Sequence, residues 1–152
     1  MLTNENPIKV SKTLLKFIRE HKKKLEDKDR AMVGILASAN NSKVVDGLYF
    51  IKHREEGCKW FPRLHKQDVS KAICRVVKDK NSIKGLVVIV ANNQEGRRTT
   101  YFEKMICKRG WENPNFLYLS CDRYGLHYWK VDGINHTYDA DKFTKASIAK
   151  VN

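Results

Sequence analysis

The chain has 152 residues, enough for one domain with a substantial core, and a hydrophobic fraction of 41% excludes wholesale disorder. Lys and Arg outnumber Asp and Glu by 30 to 17, a formal charge of +13, which sets up a positive field that recruits polyanions. The longest apolar run, residues 86–91, is far short of a bilayer span, and residues 1–9 are polar with no signal-peptide core, so a membrane is not an expected partner.

In chain order, Val10, Leu14, Phe17, Ile18 and Leu25 recur at helical spacing, with Lys12, Lys16, Arg19 and Lys22 turned elsewhere. The spacing predicts an amphipathic helix over 11–25, capped by Ser11. Two strands follow, 32–37 and 43–51, separated by the turn-forming Asn40, Asn41 and Ser42. A third, 58–64, comes after a charged stretch and Gly57. Residues 66–80 read as a helix with Val69, Ile73, Val76 and Val77 on its apolar stripe and Lys66, Lys71, Arg75, Lys78 and Lys80 elsewhere. Residues 85–91 are apolar and β-branched in the middle, as expected of a central strand covered on both faces.

After a loop at 92–96, Thr100 and Glu103 form a capping box that opens a helix ending near Gly110. A strand at 116–121, a turn at 122–125 and a strand at 126–131 complete the pattern. Residues 132–152 read as a C-terminal extension of a 10–131 core, with a short helix near 141–150. The whole is expected to be one α/β domain with a mixed sheet of about five or six strands flanked by helices.

Four cysteines, Cys58, Cys74, Cys107 and Cys121, lie far apart with no Cys-x-x-Cys pair. Reduced thiols in a cytoplasmic or other reducing compartment are the expectation, and no ligand spacing favours zinc. The five histidines are scattered, and no nucleophile elbow, Walker loop or dinucleotide fingerprint is present.

Residues 44–50 (Val-Val-Asp-Gly-Leu-Tyr-Phe) and 55–61 (Glu-Glu-Gly-Cys-Lys-Trp-Phe), followed by a helix and a buried strand, resemble the core of the PD-(D/E)xK, or restriction-endonuclease-like, nucleases. The resemblance spans 44–121, about half the chain, and rests more on element order than on identity. It implies a restriction-endonuclease-like sandwich in which Asp46 and Glu56 hold Mg²⁺ and Lys59 positions the attacking water, with homodimers common among active members. The pattern departs from the family at Gly57, which stands two residues before Lys59 where an acid is usual. Glu56, three residues before Lys59, would project from the opposite face of a regular strand. A β-bulge at Gly57 would realign it, and Glu55 is a substitute. The alternative is that Asp46 belongs to a turn and Glu55 and Glu56 to a solvated hairpin tip.

The same element order, ending in residues 126–131, is also similar to JAB/MPN-domain isopeptidases. Active members hold zinc through a His-x-His motif after the buried strand and a later aspartate. Here those places read Asn92, Asn93, Gln94 and Glu103, so this resemblance implies a non-catalytic protein-interaction domain.

Nucleic-acid binding without catalysis is the third expectation, with DNA or RNA as partner. Lys71, Arg75 and Lys78 share a helix face able to track phosphates, and Arg97 and Arg98 precede a helix N-terminus. Trp60, Phe61, Trp111, Tyr124, Tyr128 and Trp129 are able to stack bases where exposed.

Overall fold

The computed structural model describes residues 7–25, 32–52, 65–90, 116–131 and 143–152. β1 (Ile8–Ser11) runs directly into α1 (Lys12–Lys24), and the Ser11 hydroxyl accepts the Leu14 amide at 3.3 Å. That bond satisfies one of the free N–H groups of the first turn, as the sequence predicts for a serine cap. Leu14, Leu15 and Ile18 face inward, whereas Phe17 is 47% exposed.

β2 (Met32–Ala39), β3 (Val44–Val45) and β4 (Gly47–Phe50) follow, then α2 (Lys66–Lys78) and β5 (Asn81–Ile89). β6 (Leu117–Asp122), β7 (Gly125–Val131), β8 (Phe143–Lys145) and β9 (Ile148–Val151) complete the described elements. They form a six-stranded mixed sheet in the order β4-β2-β5-β6-β7-β8 and a three-stranded parallel sheet, β3-β1-β9. Within the larger sheet β5 and β6 are parallel and the remaining neighbours antiparallel.

The three central strands carry the core on both faces. Val33, Ile35 and Ala37 of β2, Leu86 and Val88 of β5, and Tyr118 of β6 pack against Val69, Ala72 and Val76 of α2. The alternate residues Leu36, Val87, Ile89, Leu117 and Leu119 pack against Leu14, Leu15 and Ile18 of α1. Period-two alternation thus supplies two cores at once, and the continuous apolar run of β5 is its sequence signature.

The register shifts between Leu36 and Ala37, whose partners in β5 are Gly85 and Ile83, leaving Lys84 as the extra residue of a β-bulge. Gly85 pairs with Leu117, and any Cβ at Gly85 would run into the Leu117 carbonyl. Glycine is required there by the close approach of β6.

Several expectations change. The single strand expected over 43–51 is two, because β3 joins β1 in the small sheet and the chain crosses at Asp46 to pair β4 with β2. The short helix expected near 141–150 is instead β8 and β9. β9 is held by parallel pairing with β1, far away in sequence, so the tail belongs to both sheets. β1 itself was unexpected. α2 stops at Lys78, with Lys80 in the left-handed region at φ 58°, and Val77 is 65% exposed where the stripe placed it inward. Ala72 takes its place in the core. The strand expected at 58–64 and the helix opened by Thr100 lie outside the described residues. Among the described residues no helix is long and apolar enough to cross a membrane.

Gly85→Ala is expected to cost about 2–3 kcal/mol, as overpacking against fixed backbone does. Ser11→Ala should cost about 1 kcal/mol. Urea midpoints of the two variants against the parent protein test both.

Candidate functional site

With Val69, Ala72 and Val76 committed to the core, the neighbouring stripe of α2 is fixed. Asp68, Lys71 and Arg75 recur at three- and four-residue intervals and lie beside the buried face, where α2 overhangs the edge strand β4. There they meet the start of β2 and the end of β4 around a cavity of about 660 Å³. Met32, Phe50 and Ile51 give it apolar surface, Lys52, Lys71 and Arg75 bring positive charge, and Asp68 lines the wall while being only 4% exposed.

Two side-chain bonds tie α2 to β4. The Arg75 guanidinium donates to the Phe50 carbonyl at 2.7 Å. One turn on, the Tyr49 hydroxyl donates to Asp79 at 2.6 Å and accepts from the Asn81 amide at 2.7 Å. The bond to Asp79, with burial second, raises the Tyr49 pKa, since ionisation would forfeit the donor. These charge-assisted bonds are the stronger kind and set the spacing of helix and strand.

From the α1 side, the Phe50 ring lies 4.9 Å from the His21 ring and 6.5 Å from that of Phe17. His21 Nε2 also approaches Met32 Sδ at 2.9 Å. The exposure of Phe17 is explained here: it belongs to an aromatic cluster at the sheet edge rather than to the core. Burial first, then Lys24, lowers the His21 pKa.

Of the residues singled out from sequence, Lys71 and Arg75 meet in this cavity. Lys78 is exposed in the last turn of α2, beyond it. Asp46 is exposed at the crossing between the sheets, its amide donating to the Ala37 carbonyl at 3.1 Å. It stands at the far end of β4 from Phe50, about 13 Å away at ~3.3 Å per residue. Glu56, Lys59, Arg97 and Arg98 lie outside the described residues. Among the described residues no group of three His, Cys, Asp or Glu is placed to hold a metal.

Lys52 and Asp68 were missed in sequence. Asp68 carried a signal, an acid in the first turn of a basic helix three residues before Lys71, while Lys52 had only its place after a strand. Among the aromatics, Tyr124 is exposed at the β6–β7 turn, whereas Tyr128 and Trp129 are half-buried on the sheet. At that hairpin the buried Asp122 accepts the Tyr124 amide at 2.8 Å and pairs with His127 at 3.0 Å, which staples the turn. Cys74 is exposed, and burial pushes the Cys121 thiol up to about 11, as suits a structural cysteine.

No protein-family model matches the chain, and no curated protein is similar enough to count as a relative. Solved structures share its fold. A protein from Desulfitobacterium hafniense, known from its solution structure, superposes with a TM-score of 0.57 at 12% identity, over 94% of this chain and 92% of that one. A Salinibacter ruber protein gives 0.54 at 15% identity, over 95% and 92%. A JAB1/MPN domain protein from Archaeoglobus fulgidus gives 0.47 at 11% identity, over 93% and 99%. The two higher-scoring structures support the α/β architecture over nearly the full chain.

The lowered His21 pKa predicts a pH dependence. As pH falls, the unfolded chain takes up this proton before the folded one, so stability is present above the ordinary value of 6.5 and drains between it and the folded pKa. Melting temperatures from about pH 7.5 to about pH 5 should fall less steeply in His21→Gln than in the parent. Parallel curves would remove His21 as the cause.

Proposed function

We propose that this protein binds nucleic acid in the cavity between α2 and β4, with backbone phosphates on Lys52, Lys71 and Arg75. The observation that carries this reading is convergence: cations from two elements share one concavity that also has apolar surface. A merely solvated basic helix would present its charges outward, with no hollow beside them. Arg75 offers five donors and gives one of them to the Phe50 carbonyl, which fixes the direction of its guanidinium beside the cavity. Lys71, one turn earlier, adds a point charge. The formal charge of +13 supplies the long-range attraction that a phosphate backbone answers by releasing counterions.

Fluorescence anisotropy with labelled oligonucleotides over a salt series tests this. Lys71→Ala and Arg75→Ala should each weaken binding several-fold and shallow the log–log salt slope by about 0.7 per lost contact on single strands, or about 0.9 on duplex. Lys12→Ala, on α1 and outside the cavity, should leave both unchanged. EDTA should not alter the affinity. Unaltered slopes in both α2 variants would overturn the reading, and absence of any binding would favour the protein-interaction domain of the second resemblance. Mg²⁺-dependent cleavage lost in Asp46→Asn would move the centre of function to the other end of β4.

A further inference from the structure

We propose that the cavity admits a single unpaired base bearing an exocyclic amine, which Asp68 reads as hydrogen-bond acceptor; this rests on the nucleic-acid reading above. The starting observation is an acid where a simple phosphate site would have none. Asp68 lines the same cavity as Lys52, Lys71 and Arg75, yet it is 4% exposed. A phosphate brought close to that carboxylate would be repelled, so the anionic part of a ligand belongs with the cations and the group facing Asp68 must be a donor. Asp68 already has a partner within the protein, and a carboxylate, with about four acceptor sites, keeps capacity for a ligand beside it.

The rest of the cavity fits the remainder of a nucleotide. Its volume of about 660 Å³ lies within the range of small-ligand sites. Met32, Phe50 and Ile51 offer apolar surface to the face of a base, and the Phe50 ring is braced from the α1 side by His21. A base locked in a duplex keeps its pairing edge occupied, so the site selects single strands. Cytosine presents its N4 amine to such an acceptor, adenine N6 and guanine N2. Uracil and thymine carry the O4 carbonyl in place of that amine and keep only the ring N3–H as a donor, flanked by two carbonyls, so an acceptor aimed at the exocyclic position meets another acceptor across a buried wall.

Oligo(dC) and oligo(dU) of equal length differ in the pairing edge that Asp68 would read, and they carry the same backbone. In anisotropy titrations without metal, oligo(dC) should bind about tenfold more tightly, the worth of one hydrogen bond to a charged group. Their salt slopes should be equal. Asp68→Asn, which offers both a donor and an acceptor, should reduce the preference to about twofold or less by weakening oligo(dC), with the salt slope retained. Melting of this near-isosteric variant checks that it folds, and the parent comparison needs no variant. Equal, salt-sensitive binding of both oligomers would overturn base selection while leaving nucleic-acid binding intact. Duplex binding as tight as single-strand binding would overturn the unpaired-base assignment, and an undiminished preference in Asp68→Asn would remove Asp68 from the reading. Binding of neither oligomer would overturn this inference, and failure of duplex to bind as well would overturn the proposed function with it.

Discussion

The central strands β2, β5 and β6 are apolar on both faces, and the two described helices answer that demand. A sheet buried on both sides needs a cover for each, and α1 and α2 are those covers. At roughly 1.5–3 kcal/mol for each fully buried aliphatic side chain, the committed residues of α2 leave the helix little freedom to rotate. Turning α2 far enough to bury Val77 would pull Ala72 and Val69 away from Ile35 and Leu86. The position of the functional candidates is therefore a by-product of core packing. Asp68, Lys71 and Arg75 overhang β4 because their neighbours on the helix are held underneath.

Packing sets the rotation of α2; polar bonds set its distance from the strand edge. The Arg75 bond to the Phe50 carbonyl and the Tyr49 bond to Asp79 act one helical turn apart on successive residues of β4. An edge strand has backbone groups to spare, and here one carbonyl orients a guanidinium. Phe50 belongs to both halves of the arrangement, because its carbonyl holds Arg75 while its ring meets His21 and Phe17 of α1. The two helices, on opposite faces of the sheet, thus meet chemically at the end of one strand.

The long-period features were legible in the sequence for this reason. Ser11, Leu14 and Ile18 announce α1, the β-branched run of β5 announces a strand covered twice, and the two-residue turn before Gly125 announces the β6–β7 hairpin. Short elements with distant partners were not legible. β1 has only Ile8 and Val10 to bury, and its stability comes from parallel pairing with β3 and β9, which local periodicity does not record. The same absence made residues 141–150 look helical. At the site, helical spacing grouped Lys71 with Arg75. It had no means of adding Lys52, which reaches the cavity from the end of a different element, or of showing that Asp68 is buried.

The separation of Asp46 from the cavity bears on what the site can do. Metal-assisted phosphodiester cleavage needs carboxylates within about 2 Å of a cation that itself touches the scissile phosphate. The cations that neutralise that phosphate must be aimed at the same few ångströms. Asp46 precedes β4 and Arg75 is bonded to Phe50 at its other end, so the length of that strand separates the carboxylate from the guanidinium. What the cavity does hold together is positive charge, apolar surface and one buried acceptor. Those are the requirements of the proposed grip on a strand and of the proposed reading of one base.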